Sequence, residues 1–413
     1  MLKKLSSNIL IYGVTNGIKS LVPFIMLPIL TTYLSIEQYG ELSIIEVTII
    51  FLSPFILINI NSAINVEFFK KSKNKLNNYI TNALAISFFS FFLFLILAII
   101  FTPFISSLLH IESIFIIWLP IFVLLRVIPQ VLLGLFQVSG QARKFALFTI
   151  GQTIFDFSLS YILVTMYQLG YIGRLEGIYI AFGLASLLGL YLLYKMNYVG
   201  QFTLKYSNEI LKFGVPLIPH AIGGTVMAMS DRYFISYYTG NEEVGLYTVA
   251  YQLSALMLLV GMSINQAWVP ILYSLLRLND KMTQIIKYSL GLALFFLIVG
   301  ISIFFLKDLL FNLLVSHKFD SAMEFFPWLL IGFIFQSLYF LATNFLFFEK
   351  KTVLLAKITF SGAILNIVLN FLLIQEFGTI GVAYATAITW LIFFLFVFYF
   401  TFKLYFRNIG DKG

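Results

Sequence analysis

Apolar runs of about 20 residues follow one another along this chain with only short polar joints between them, and that pattern leaves few folds open. A bilayer core takes about 20 apolar residues per crossing helix. Twelve such segments are read, at 8–34, 41–66, 79–101, 113–138, 145–168, 176–194, 213–238, 244–272, 284–305, 323–347, 353–374 and 379–402. They are expected to be helices, because in hydrocarbon only a backbone that satisfies its own hydrogen bonds is stable. A twelve-strand barrel would require strict polar–apolar alternation, which these Leu/Ile/Phe runs lack. With 60% hydrophobic and 11% charged residues, an ordinary soluble domain is excluded. Cysteine is absent, which removes disulfides, thiolate catalysis and Cys-based metal sites. The start, "MLKKLSSNILIYGVTNGIKSLVPFIML", has the basic flank of a signal peptide. Its apolar run is too long and lacks a small-x-small cleavage site, so a retained first span is expected.

The joints predict direction. One alternating set carries Lys3, Lys4, Lys70, Lys71, Lys73, Lys75, Arg143, Lys144, Lys195, Lys205, Lys212, Arg277, Lys281, Lys287, Lys350, Lys351, Lys357, Lys403, Arg407 and Lys412. The other holds only Arg174, Lys307 and Lys318. Twenty basic residues against three place both termini in the cytoplasm by the positive-inside rule. The net charge of +8 therefore orients the chain and favours contact with anionic lipid headgroups; it does not call for nucleic acid.

A weak internal duplication is present. Ile9, Leu10 and Gly13 recur as Ile210, Leu211 and Gly214; Glu37 and Gly40 recur as Glu242 and Gly245; Gly177 and Ala181 recur as Gly381 and Ala385. The expected fold is an all-α integral membrane protein of twelve transmembrane helices, in two six-helix lobes at 1–200 and 201–413. Six spans per half is even, so the copies share orientation, with a pseudo-twofold along the membrane normal and a cavity between lobes. Pro23 and Pro28 are expected to interrupt span one. Gly214, Pro216, Pro219, Gly223 and Gly224 are expected to interrupt its duplicate, span seven.

Apart from the five residues at either end of each span, six charged residues fall inside spans: Lys19, Glu46, Arg126, Asp156, Asp231 and Arg232. A charge near the midplane costs about 2.5–3.5 kcal/mol on insertion scales, so such groups usually face protein or water. Helical spacing aligns Tyr12, Asn16, Lys19 and Pro23; Arg126, Gln130, Leu133 and Gln137; Thr149, Gln152, Asp156 and Ser160; and His220, Gly224, Met227 and Asp231. These stripes could line a hydrated cleft. Alternatively, Arg126 with Asp156, or Lys19 with Glu46, could be internal pairs that lock helices together. Asp231 and Arg232, pointing about 100° apart on a helix, could each tie a different neighbour. His220 reads as a packed or backbone-bonded residue, and Asn366 and Asn370 as hydrogen-bonding glue between helices. Three histidines cannot supply the paired ligands of a membrane haem, and no P-loop occurs, so an enzyme is not expected and ATP is not the direct energy source. A secondary transporter remains.

The stretch "SDRYFISYYTGNEEVGLYTVAYQ" resembles the seventh helix and following loop of polysaccharide (O-antigen or capsule type, Wzx-like) flippases, in the MOP superfamily that also holds the MATE exporters. "NILIYGVTNGIKSLVPFIMLPILTTYLSIEQYGELS" looks like the same family's first helix and loop. The resemblance spans the chain in length, layout and repeat. Its specific part is Asp231, Arg232, Gly245 and Tyr247. It implies a MATE-like fold, alternating access in the bacterial cytoplasmic (inner) membrane, and an undecaprenyl-diphosphate-linked oligosaccharide moved to the outer leaflet. It also implies polysaccharide polymerase and chain-length proteins as partners, beside membrane lipids. On that reading Lys19, Arg126 and Arg232 contact the diphosphate, and Asn16, Gln130 and Gln152 contact sugar. Asp156, Glu46 and Asp231 are candidates for coupling to H+ or Na+; no cofactor or metal is called for. A MATE-type multidrug/cation antiporter and a lipid II-type flippase are the alternatives. The first would favour cavity acids without midplane cations, and the second resembles fourteen helices.

Overall fold

The computed structural model describes residues 2–278 and 281–405, and their regular structure is helical throughout. Among the described residues, twelve helices are long and apolar enough to cross a membrane. The expected all-α, twelve-span architecture is thus present. Arg407 and Lys412, counted above among the basic joints, lie outside the described residues, as do the side chains of Lys3, Lys4, Ile9 and Leu10.

The helices are α1 Leu2–Tyr33, α2 Ile36–Leu57, α3 Ile60–Glu67, α4 Lys73–Leu109, α5 Ser113–Val138, α6 Ala142–Thr165, α7 Gly170–Lys195 and α8 Leu204–Gly214. They continue with α9 Ile218–Thr239, α10 Asn241–Leu276, α11 Met282–Phe305, α12 Lys307–Leu314, α13 Phe326–Phe348, α14 Thr352–Phe377 and α15 Thr379–Tyr405. Short 3-10 turns occupy Val215–Leu217 and His317–Glu324. Span four matches its expected range. Span three is longer: α4 has 37 residues and reaches about 55 Å, well beyond a core of about 30 Å. Its first turns are polar (Lys73, Asn74, Lys75, Asn77, Asn78), so hydropathy stops short of where helical hydrogen bonding begins.

The chain forms two compact units, Met1–Thr225 and Val226–Gly413. In the first, α6 packs on α7, α4 on α5, and α1 on α6. Gly177 makes the α6–α7 approach possible, since a β-carbon there would collide with Ser160. In the second, α13 packs on α15 and α10, and α14 on α15. Gly381, the repeat partner of Gly177, serves the same purpose: its β-carbon would strike the Leu373 carbonyl of α14. The duplicated glycine therefore marks a duplicated helix contact.

The helix breaks differ in part from expectation. Pro23 and Pro28 lie inside an unbroken α1. Each removes only one backbone bond, and the bonds on either side carry the helix through. Span seven is interrupted at Gly214 and Pro216, by the turn at Val215–Leu217 between α8 and α9, whereas Pro219, Gly223 and Gly224 lie inside α9. A further break occurs in span two, where Ile58 (φ 48°) and Asn59 (φ 53°) adopt left-handed conformations between α2 and α3. For a β-branched residue such as Ile58 this conformation is uncommon and costly. It is held from outside: Gly214 leaves no room for a β-carbon against the Ile58 carbonyl, and Asn59 Nδ2 donates to the Gly214 carbonyl at 3.3 Å.

Candidate functional site

In the first unit, α1, α2, α5, α6 and α7 bring most of the expected deep charges into one neighbourhood. Val14, Ile18, Leu21 and Ile25 form an exposed apolar stripe on α1, the pattern of a lipid-facing side. Lys19 is exposed and projects roughly 130° around the helix from the centre of that stripe. It lies close enough to Arg126 of α5 for the two cations to interact. Arg126 is half-buried, with its guanidinium 5.0 Å over the Phe182 ring and its Nε buried without a hydrogen-bond partner. Among the described residues neither Lys19 nor Arg126 enters an ion pair.

Asp156 behaves differently. Its partner is Arg174, not Arg126: Arg174 Nη1 donates to Asp156 Oδ1 at 2.6 Å and to Ser160 Oγ at 2.6 Å. Ser160 in turn donates to Asp156 Oδ1 at 3.2 Å. Arg174, counted with the outer joints, sits in the second turn of α7, where its long side chain reaches back to α6. Glu46 interacts electrostatically with the buried Tyr179, which also senses Arg126 and Arg174. Tyr179 and Arg174 are thus members of this neighbourhood that reading by span missed.

Polar uncharged groups complete it. Asn16 is exposed on α1, and Gln152 is half-buried on α6. Tyr12 packs edge-on against Phe145, and its hydroxyl is buried and unpartnered, as is Thr149 Oγ1. Gln130, one turn beyond Arg126, accepts from Asn61 Nδ2 of α3 at 2.8 Å.

In the second unit the other two charges are consumed locally. Asp231 and Arg232 are 4% and 5% exposed, too little to be presented to a ligand in this conformation. Arg232 Nη1 lies 3.3 Å from Asp231 Oδ1, and its guanidinium stacks 4.2 Å from the Tyr251 ring centre. Tyr247 donates to Asp231 Oδ2 at 2.5 Å. The two residues do not tie separate helices; both engage α10, through tyrosines one turn apart. Ser230 donates to Asn366, Asn370 donates to Asn366, and Asn366 donates to Thr389, joining α9, α14 and α15 as glue. His220, expected to be packed or backbone-bonded, is exposed near the start of α9.

The twelve-span helical fold is shared with the MOP-superfamily membrane transporters. It aligns with a multidrug resistance MATE family transporter of that superfamily in its inward-facing conformation, with a TM-score of 0.76 at 15% identity over 93% of each chain. It aligns equally with the lipid II flippase MurJ in an inward closed conformation, with a TM-score of 0.78 at 16% identity, covering 94% of this chain and 87% of that one. An uncharacterized membrane protein of Haemophilus influenzae is 25% identical over 338 residues, 80% of this chain and 81% of the relative. The chain belongs to the polysaccharide biosynthesis protein family, whose model matches residues 5–276. The MatE family model matches residues 216–372.

Proposed function

We propose that this protein moves an undecaprenyl-diphosphate-linked oligosaccharide repeat unit from the cytoplasmic to the outer leaflet of the bacterial inner membrane, by alternating access, with both termini cytoplasmic. The observation that carries the reading is that Lys19 and Arg126 oppose each other's charge and that, among the described residues, neither has a carboxylate in ion-pair range, while Asp156 and Asp231 each have an arginine. Two like charges held together repel, and an anion with several oxygens between them offsets that cost. A lipid diphosphate supplies such an anion. Asn16, Gln130 and Gln152 supply amide partners for sugar. Asp156 can exchange Arg174 for a coupling ion during the cycle, with Glu46 nearby. Arg232 and Asp231 act from within the second unit, as a lock between α9 and α10. In a strain whose surface glycan depends on this chain, Lys19→Ala or Arg126→Ala should abolish the glycan at unchanged protein level. Unaltered glycan removes that residue from the mechanism.

The MatE match supports a second reading, a cation exporter. A cationic drug would need an acid free of arginine, and Asp156 and Asp231 each have one. Unchanged drug susceptibility on deletion of the gene counts against that reading; hypersensitivity supports it.

A further inference from the structure

Beside Arg126 stands a row of amides, of which the expectations above singled out only Gln130. α3 begins after the left-handed pair Ile58–Asn59, and that break turns Asn61 and Asn65, one turn apart, toward α5. Asn61 Nδ2 is committed to Gln130 Oε1 at 2.8 Å. Asn65 meets Gly134, one turn beyond Gln130: a β-carbon there would lie 3.1 Å from Asn65 Oδ1, so the glycine makes the space the amide occupies. Asn61 Oδ1 and Asn65 Oδ1 are both buried and have no hydrogen-bond partner, against the strong tendency of buried acceptors to be satisfied. Among the described residues, Asn65 Nδ2 and Gln130 Nε2 enter no hydrogen bond, and all three residues are only half-buried. The row therefore offers free acceptors and free donors, and it carries no charge.

We infer that Asn61, Asn65 and Gln130 form a hydroxyl-reading subsite that recognises the first monosaccharide of the lipid-linked substrate, next to the diphosphate held at Arg126. The inference rests on the function proposed above. Neutral amides paired with hydroxyls suit a sugar, whose hydroxyls both donate and accept; they do not suit a phosphate, which is bound by cations. The break at Ile58–Asn59 is the positioning device, kept in shape by Gly214.

The test is equilibrium binding to the purified full-length protein in lipid nanodiscs. The probes are undecaprenyl diphosphate and the same lipid bearing one monosaccharide on its diphosphate. Asn61→Ala/Asn65→Ala should weaken the sugar-bearing lipid about tenfold, the scale of one or two lost polar contacts, and leave the bare lipid unchanged. Gly134→Ala, which only crowds Asn65, should shift the same lipid the same way by less, and it guards against misfolding of the double variant. Lys19→Ala should weaken both lipids. Equal loss of both lipids in the asparagine variant, or loss of neither, overturns the subsite and leaves the proposed function standing. A wild-type protein that binds neither lipid overturns both.

Discussion

Arg174 holds Asp156 across the α6–α7 contact, one guanidinium nitrogen lying 2.6 Å from the carboxylate and 2.6 Å from Ser160 Oγ. Removing one member of such a pair strands the other's charge, which costs roughly 3–5 kcal/mol at full burial and less here, where both side chains keep some exposure. Asp156→Asn should therefore lower the thermal melting temperature in detergent, and Asp156→Asn/Arg174→Gln should recover part of it. If the double variant is as stable as wild type but inactive in glycan complementation, Asp156 serves the transport cycle. Full activity of the double variant would leave the pair a structural clasp.

Gly177 and Gly381 stand at repeat-related positions and each admits a neighbouring helix too closely for a β-carbon. Gly177→Ala and Gly381→Ala should each cost about 1–3 kcal/mol through overpacking. Gly13, with nothing within 4 Å of its missing β-carbon, is the control. Gly13→Ala should leave melting unchanged or raise it slightly; equal losses at all three sites would contradict the packing account.

Tyr247 donates to Asp231 across the α9–α10 contact of the second unit. Tyr247→Phe keeps the ring and removes the donor, at a cost of roughly 1.5–3 kcal/mol for a bond to a charged acceptor. Arg232→Lys should also destabilise, because an ammonium cannot reproduce a planar stack on Tyr251. Melting temperatures decide both, and an unchanged value for Tyr247→Phe would show that the bond contributes nothing.

The segment that joins the repeats is pinned to the first unit and should loosen in alkali. Asn78, Thr81 and Asn82 side chains accept from the Gln201, Gly200 and Thr203 backbone amides. Lys71 sits between Glu67 (3.2 Å) and Glu209 (2.9 Å). Burial alone would lower the Lys71 pKa, but hydrogen bonds and attraction from the two glutamates raise it above the ordinary lysine value. Burial likewise raises that of Tyr198. A raised pKa in the folded state means that this stabilisation is complete below the unfolded pKa and is lost as pH climbs through the folded one. Amide exchange over 196–214, corrected for its intrinsic pH dependence, should stay protected to about pH 10 and open above it. Lys71→Gln should open it at neutral pH; protection that is insensitive to both would contradict this role.

The twelve spans were legible because hydrocarbon imposes a length and composition that few sequences mimic. The deep charges were legible as candidates for the same reason. Their partners were not. Arg174 lies near a helix start and looks like a joint residue, and only its reach back to Asp156, 18 positions earlier, reveals otherwise. Tyr247 sits 16 residues beyond Asp231, a separation set by the turn between α9 and α10. Asn61 and Asn65 are uncharged and lie in an apolar stretch, and the break that aims them is made by Ile-Asn, without the glycine or proline that usually signals one. Pro23 and Pro28 gave that signal where the helix runs on. Hydropathy reads solvent well; it does not read the direction of a helix after a break.

On the proposed function, Lys19 and Arg126 together hold the diphosphate of a lipid-linked sugar. Its most direct test is translocation in proteoliposomes loaded with a fluorescent undecaprenyl-diphosphate-linked sugar, comparing wild type with Lys19→Gln/Arg126→Gln at matched insertion and melting temperature. Wild type should translocate the lipid, and the variant should lose at least about tenfold, the least expected when two charge-assisted contacts are removed. Undiminished translocation by the variant would contradict it.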